Sequence, residues 1–461
     1  MILSFLSAGC VLAAMGWIVF RRPALALIFL FVLFAFAWRL VSTFYIDSFG
    51  PVASEQLERS IGPGISVVPL AISQGLVIAA MLLSFHPRRL RELAFRDQSP
   101  VAALTPSGHF KLSDLAYWAA LSFVLALWIE LFVVGSIPLF VAIERTDYLA
   151  HYAGPLHQRL IEWGPMLAFQ FGVFFAMPAL RAESFDRRFG ALFVSLLAYL
   201  FLVGHRFSSF YAYSTFFLIP LGAVLLQKQV RGLSVRELLP GRTLRYFSLA
   251  AGACALLVVV AISYSYLVVR SADQVGTKLS ERILVQQGEM WWMTYERIFL
   301  RGDWDIALAF DRLFVDPFDP TRNSTMQFLM ELALPVSRAH FILAQGAAYT
   351  GGWPEVFFEL GGPVGGFVLV ALSAVAFSEF MFLIVRCFVQ ERFVTCLFLT
   401  PILFTLSINI VSGMVNSFIQ LTFVVKIVAA MLAYVTEEQW RSRLLSTAVR
   451  TSDSLQAPAT R

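Results

Sequence analysis

The sequence predicts an all-α integral membrane protein with about eleven transmembrane helices and one large extracytoplasmic loop of partly helical structure. Three observations carry this expectation. The 461 residues are 58% hydrophobic and 14% charged, whereas soluble domains are roughly 45–50% apolar and about 25% charged. The apolar residues recur in blocks near twenty long, such as 2–20 and 251–269, and a helix of about twenty residues crosses a ~30 Å hydrocarbon core. Basic residues concentrate in alternate short loops, the asymmetry of a positive-inside topology. A β-barrel is excluded, because barrels are built from short strands of alternating hydrophobicity rather than continuous apolar runs.

The expected spans are 2–20, 23–45, 65–86, 114–135, 160–182, 189–204, 208–227, 246–269, 361–386, 392–412 and 415–436. The first block has no basic residue before it and Arg21–Arg22 after it. A cleaved leader has the reverse order, so this block reads as a permanent first helix with its N-terminus outside. Only His205, Arg206 and Phe207 separate the sixth block from the seventh, so these are either two helices or one broken helix. With this assignment 21 of the 35 Lys and Arg face the cytoplasm, 12 lie in outer segments, and Arg39 and Lys426 fall inside helices. The domain layout is 1–270 for helices one to eight, 271–360 for the large loop, 361–436 for helices nine to eleven, and 437–461 for a polar, mobile cytoplasmic tail. The net charge of +5 does not indicate nucleic acid, because the arginines sit in inter-helix loops. The four cysteines fit no metal spacing and no disulfide pair, and read as packing residues.

The long loop, about 271–356, is not disordered in composition; it holds Trp291, Trp292, Trp304 and Trp353. Residues 281–300 place Arg282, Gln286, Glu289 and Glu296 near one helical face, with Trp292, Ile298 and Phe299 elsewhere. That pattern suits a helix lying in the membrane interface. Residues 314–323 (FVDPFDPTRN) read as a turn-rich connector, and 326–344 as a second, partly inserted helix.

Candidate chemistry follows from residue type and place. Gly204-His205-Arg206 puts a His and an Arg at an outer membrane boundary, where a planar guanidinium fork can grip phosphate or snorkel to headgroups. Arg338-Ala339-His340 offers a second such pair in an apolar context. Arg297 and Arg301, one helical turn apart, can grip one anion or simply solvate the loop surface. The segment 350–366 (TGGWPEVFFELGGPVGG) carries Glu355 and Glu359 four residues apart, on one face of a helix that starts by Glu355. The alternative there is a helix start made favourable by acidic charge. Asp303-Trp304-Asp305 forms a D-x-D, a pattern some sugar-nucleotide enzymes use for a metal, but three residues recur often by chance and no metal site is expected. The intramembrane charges should be paired, with Lys426 and Glu379 at comparable depths. Arg39 and Glu130 lie near the outer ends of their helices.

This layout resembles bacterial O-antigen polymerases, and more closely the oligosaccharide repeat-unit polymerases. The resemblance rests on many helices, the short outer turn Gly204-His205-Arg206, a large late outer loop, and Pro354–Gly366 after it. The arginine-x10-glycine pattern of some members is absent: Phe217 and Tyr349 stand at that spacing from Arg206 and Arg338. The resemblance implies a polysaccharide polymerase of the inner (cytoplasmic) membrane, with a cytoplasmic C-terminus, acting at the periplasmic face. Its partners would be an undecaprenyl-pyrophosphate-linked glycan, membrane lipids and a chain-length regulator protein, without nucleic acid or cofactor. It implies Arg206 and Arg338 for the pyrophosphate, with His205, Arg297, Arg301 and Glu359 also binding substrate, and His340 or Glu355 as the base. An O-antigen ligase would share these features. A lipid-linked oligosaccharide flippase or transporter would instead show mid-membrane charge and internal repeats, and a non-catalytic scaffold would need none of them.

The topology predicts that cysteines placed at 188 and 236 react with an impermeant reagent only in inverted vesicles, and one at 312 in intact cells. Labelling of position 236 in intact cells would overturn it.

Overall fold

The computed structural model describes residues 2–54, 56–95, 106–141, 143, 148–149, 151–181, 183–205, 207–232, 275–314, 325–344 and 351–456. The expected eighth span and Arg206 lie outside the described residues.

The described chain is a helical bundle with one small hairpin. Helix α1 (Ile2–Arg21) leads to α2 (Pro23–Ile28), which starts on a proline whose missing N–H is harmless in a first turn, and then to α3 (Leu30–Phe49). Strands β1 (Val52–Ser54) and β2 (Arg59–Ile61) pair antiparallel, with Val52 opposite Ile61. Then come α4 (Val67–Ser84), α5 (Pro87–Phe95), α6 (Pro106–Val134), the short α7 (Pro138–Val141), α8 (Pro155–Leu180), α9 (Arg187–Leu202) and α10 (Phe207–Val230). The expected sixth and seventh spans are thus two helices, α9 and α10.

The long loop supplies α11 (Val275–Leu284), α12 (Glu289–Tyr295), a π-helical turn (Glu296–Arg301), α13 (Ile306–Leu313), α14 (Thr325–Ala333) and α15 (Val336–Ala344). The bundle closes with α16 (Glu355–Val389), α17 (Phe393–Ser412), a 3-10 turn (Val415–Phe418) and α18 (Leu421–Gln456). The polar tail expected to be mobile begins as a continuation of α18, which stays helical to Gln456.

Among the described residues eight helical stretches are long and apolar enough to cross a membrane. Their outward stripes support that reading. Val364, Val368, Leu372 and Val375 on α16, and Leu125, Ile129, Phe132 and Val133 on α6, are all exposed at three- and four-residue spacing. Exposed apolar surface of this extent is unfavourable in water and natural against lipid tails. The protein is therefore a multi-pass, all-α membrane protein.

Two cores hold the bundle together. The larger gathers residues from α1–α4, α8, α10, the loop helices, α16 and α17, and the smaller residues from α6 and α8–α10. At the end away from the loop, Arg89 makes a two-bonded pair with Glu379 (2.6 and 2.8 Å) and Arg181 pairs with Glu391. The expected Lys426–Glu379 pairing is replaced by Arg89, whose fork fits the carboxylate in two bonds.

The largest departure from expectation is the segment 281–300. All seven residues of α12, EMWWMTY, are buried, so it is not an interfacial helix. A helix apolar on most faces belongs inside a core, and α12 is set into the end of the bundle. Its approach is secured by side chains of α3 bonding to loop carbonyls: Trp38 Nε1 to Ile283 O at 2.8 Å and Ser42 Oγ to Leu284 O at 2.9 Å. From the other side Trp291 Nε1 donates to Ser66 O at 2.7 Å, and Asp47 accepts from Ser66 Oγ and from Val67 N at the start of α4. The loop is thus part of the bundle's core at one end.

Candidate functional site

Helix α16 is kinked at Gly362, where φ is +65° and ψ −168°. Only glycine adopts that backbone without strain, and Pro363 next to it lacks the N–H that would continue the ladder. The residues before the kink, starting at Glu355, form a short helical piece distinct from the apolar run that follows. Glu355 and Glu359 share a face of this piece, and both point inward, with side chains 0% and 2% exposed.

Each meets an arginine. Arg39 of α3, itself buried, brings Nη1 to 3.2 Å from Glu355 Oε2, and its Nε donates to Gln287 O at 3.3 Å. One side chain thus joins α3, the turn before α12 and α16. The backbone lies against this pair at Gly351, where a Cβ would fall 2.7 Å from Arg39 Nη2 and 3.1 Å from Glu355 Oε1. The second pair is looser. Arg297, from the π-helical turn, holds Nε 3.8 Å from Glu359 Oε1, beyond hydrogen-bond length. Among the described residues neither atom has a hydrogen-bond partner, and Glu355 Oε1 has none either. Buried polar atoms are rarely left so, and a polar ligand or water can supply the bond.

Around these pairs the loop end is strongly polar for a membrane protein. Glu289 accepts from Ser54 Oγ at 2.5 Å. At the rim, Glu296 accepts from Arg59 (2.6 Å) and Arg301 (2.7 Å), and Arg59 lies over the Trp292 ring.

The residues expected to bind or react separate into groups. Glu355, Glu359 and Arg297 come together in the buried cluster, while Arg301 is spent on Glu296 at the surface. Arg338 is half-exposed and bonded to Glu58 (2.8 Å), and His340 is exposed and bonded to Glu331 (2.9 Å); among the described residues no hydrogen bond or ion pair joins either to Glu355. His205 sits in the smaller core, sharing a bond with Ser209 Oγ (2.9 Å), its ring 5.6 Å from that of His157. Arg206, expected with Arg338 at the pyrophosphate, lies outside the described residues. Arg39 was not among the expected site residues; its only signal in sequence is a charge inside an apolar block.

The D-x-D residues take other roles. Asp305 caps α13, accepting from Ala307 N and Leu308 N, and Asp303 faces Arg297. Among the described residues no three His, Cys, Asp or Glu side chains are placed to share a metal ion.

The profile of a family of unknown function (DUF6418) matches residues 319–427. The match takes in α14 to α17, and with them Glu355, Glu359 and the kink, but less than half of the chain. No curated protein and no solved structure matches the chain significantly.

Glu296 gives a pH signature outside the spans. Partial burial works to raise its carboxyl, but the guanidinium groups of Arg59 and Arg301 prevail and hold it below the usual carboxylate range. A carboxyl lowered by folding stabilises above its unfolded value, and the gain is lost as pH falls through the folded value. Glu296→Gln should therefore unfold at lower temperature than the parent at neutral pH, with the gap closing in acid below the ordinary carboxylate range. A gap that stays constant across that window would contradict the pairing.

Proposed function

We propose that the protein is a glycosyltransferase that polymerises undecaprenyl-pyrophosphate-linked oligosaccharide repeat units into O-antigen or exopolysaccharide. It works at the periplasmic face of the bacterial inner membrane, with its C-terminus in the cytoplasm. One observation carries this reading: the Pro354–Gly366 segment, on which the resemblance to repeat-unit polymerases rests, presents two buried carboxylates, each faced by an arginine, beneath the loop.

The chemistry such a site can perform is a displacement at an anomeric carbon. A hydroxyl oxygen of the acceptor unit forms the new C–O bond as the bond to the lipid pyrophosphate breaks, and the electron pair leaves with the pyrophosphate. The hydroxyl proton passes to a carboxylate of the Glu355–Glu359 pair. Charge growing on the leaving group needs fixed positive charge in a water-poor site. Arg206 and Arg338 are the candidates to supply it toward the lipid. The place also suits the reaction: an Arg deep in hydrocarbon costs on the order of 3 kcal/mol, while open water weakens its attraction for phosphate. A loop-covered membrane boundary avoids both extremes.

Deleting the gene separates this reading from its rivals. A lost polymerase leaves single repeat units on the outer face. A lost ligase leaves full-length glycan on the lipid carrier, and a lost flippase leaves single units on the inner face. Restoring the gene with Glu359→Gln or Arg206→Lys should give normal protein level and mostly single units. The lysine keeps the charge but loses the two-bonded fork. Full-length polymer in the deletion strain would overturn the proposal.

A further inference from the structure

The Asp303-Trp304-Asp305 turn has a use that neither metal binding nor helix capping explains. Trp304 lies over the kink of α16. A Cβ built on Gly362 would fall 2.9 Å from both Cε2 and Cζ2 of the indole and 3.1 Å from Cδ2. Near-equal distances to three adjacent ring atoms mean that the glycine meets the ring by its face. Any side chain at 362 would push the indole away, so one face is seated on bare backbone. The residue is still 41% exposed, and Leu300, Ile306, Leu308 and Phe310, near it in sequence, are exposed as well.

Polar groups descend beside it in order of burial. The Asp303 side chain is 66% exposed, Arg297 16% and Glu359 2%. The Arg297 guanidinium is tied to the turn by Nη2 donating to Asp303 O at 3.1 Å, which leaves Nε aimed at Glu359 Oε1 across 3.8 Å. Among the described residues neither atom has a hydrogen-bond partner. One oxygen at about 2.8 Å from each closes a triangle on that base. It must accept from Arg297 and donate to Glu359, which a hydroxyl or a water does and neither an ionised phosphate nor a cation can do. A phosphate would face Glu359 and Asp303, and a cation would face Arg297. Arg297 is carried by a π-helical turn, an irregularity frequent at functional sites, and its partly exposed side chain covers Glu359 from outside.

We propose that Trp304, Asp303, Arg297 and Glu359 form a saccharide subsite. A pyranose ring stacks its C–H face on the indole, and one of its hydroxyls bridges Arg297 and Glu359. The subsite rests on the transferase reading for its role, where it holds the acceptor sugar. It then makes Glu359 the group that receives the hydroxyl proton and Arg39–Glu355 the pair that positions the segment.

The test is direct binding, separate from turnover. The full chain in phospholipid nanodiscs is titrated with the methyl glycosides of glucose, galactose, mannose and N-acetylglucosamine, read by saturation-transfer NMR. At least one should bind saturably. Trp304→Ala should weaken it by about tenfold or more, while Trp304→Phe, which keeps a ring face, stays within about threefold. Asp303→Asn, at an exposed position that cannot unfold the bundle, should weaken it by about threefold. Absence of saturable binding by all four, or equal affinity in Trp304→Ala and Asp303→Asn, overturns the proposal. So does quenching of Trp304 by brominated lipid chains without any saccharide effect, which would make the residue a bilayer anchor. If full-length polymer persists in cells lacking the protein, the transferase reading falls while the binding result still judges the subsite.

Discussion

A guanidinium on the buried side of α3 cannot keep its water, so it needs an opposite charge and further acceptors at hand. Arg39 finds the carboxylate of Glu355 and the carbonyl of Gln287. Attraction between buried charges offsets the desolvation of both only when geometry is good and the remaining donors are used. That requirement ties together three parts of the chain that are far apart in sequence. The turn before α12 must reach the bundle for its carbonyl to serve Arg39. The segment before the kink must turn inward for Glu355 to arrive. The glycine at 351 must stay bare for the backbone to pass beside both.

The kink gives the cluster its shape. A straight α16 would carry Glu355 and Glu359 along the same axis as the lipid-facing stripe beyond them. The break at Gly362 lets the two regimes differ: an inward, charged piece before it and an apolar membrane run after it. The tightly held Arg39–Glu355 pair and the loose Arg297–Glu359 pair are the consequence. The first closes on itself at 3.2 Å and the second stands open at 3.8 Å. A structural role suits the closed pair, and a ligand suits the open one.

Much of the architecture was legible from hydrophobic blocks, because lipid demands long apolar helices and little else produces them. The expected start of the ninth span at 361 falls beside the kink at Gly362, because the Gly-Gly-Pro that breaks the helix also begins the apolar run. The burial of α12 departs from the charge placement of 281–300 and follows the apolar content of EMWWMTY, four of whose seven residues are Met or Trp. The Glu355–Glu359 face was readable from its four-residue spacing. Their partners were not: Arg39 lies 316 residues from Glu355, and nothing local marks such a pairing. Arg338 and His340 looked alike in sequence to the true cluster members, but their helix presents them to Glu58 and Glu331 instead.

The coupling of Arg39 to Glu355 ties the loop to the kinked helix, and a double-mutant cycle measures it. The parent, Arg39→Met, Glu355→Leu and the double variant are unfolded reversibly in detergent micelles, and the four stabilities are compared. Removing one partner of a buried pair strands the other charge, so each single variant should lose about 3–5 kcal/mol. The double variant should lose less than the two losses combined, by on the order of 1 kcal/mol or more. Strictly additive losses would show that the two side chains do not depend on one another, and the pair could not be what holds the loop and the kinked helix together.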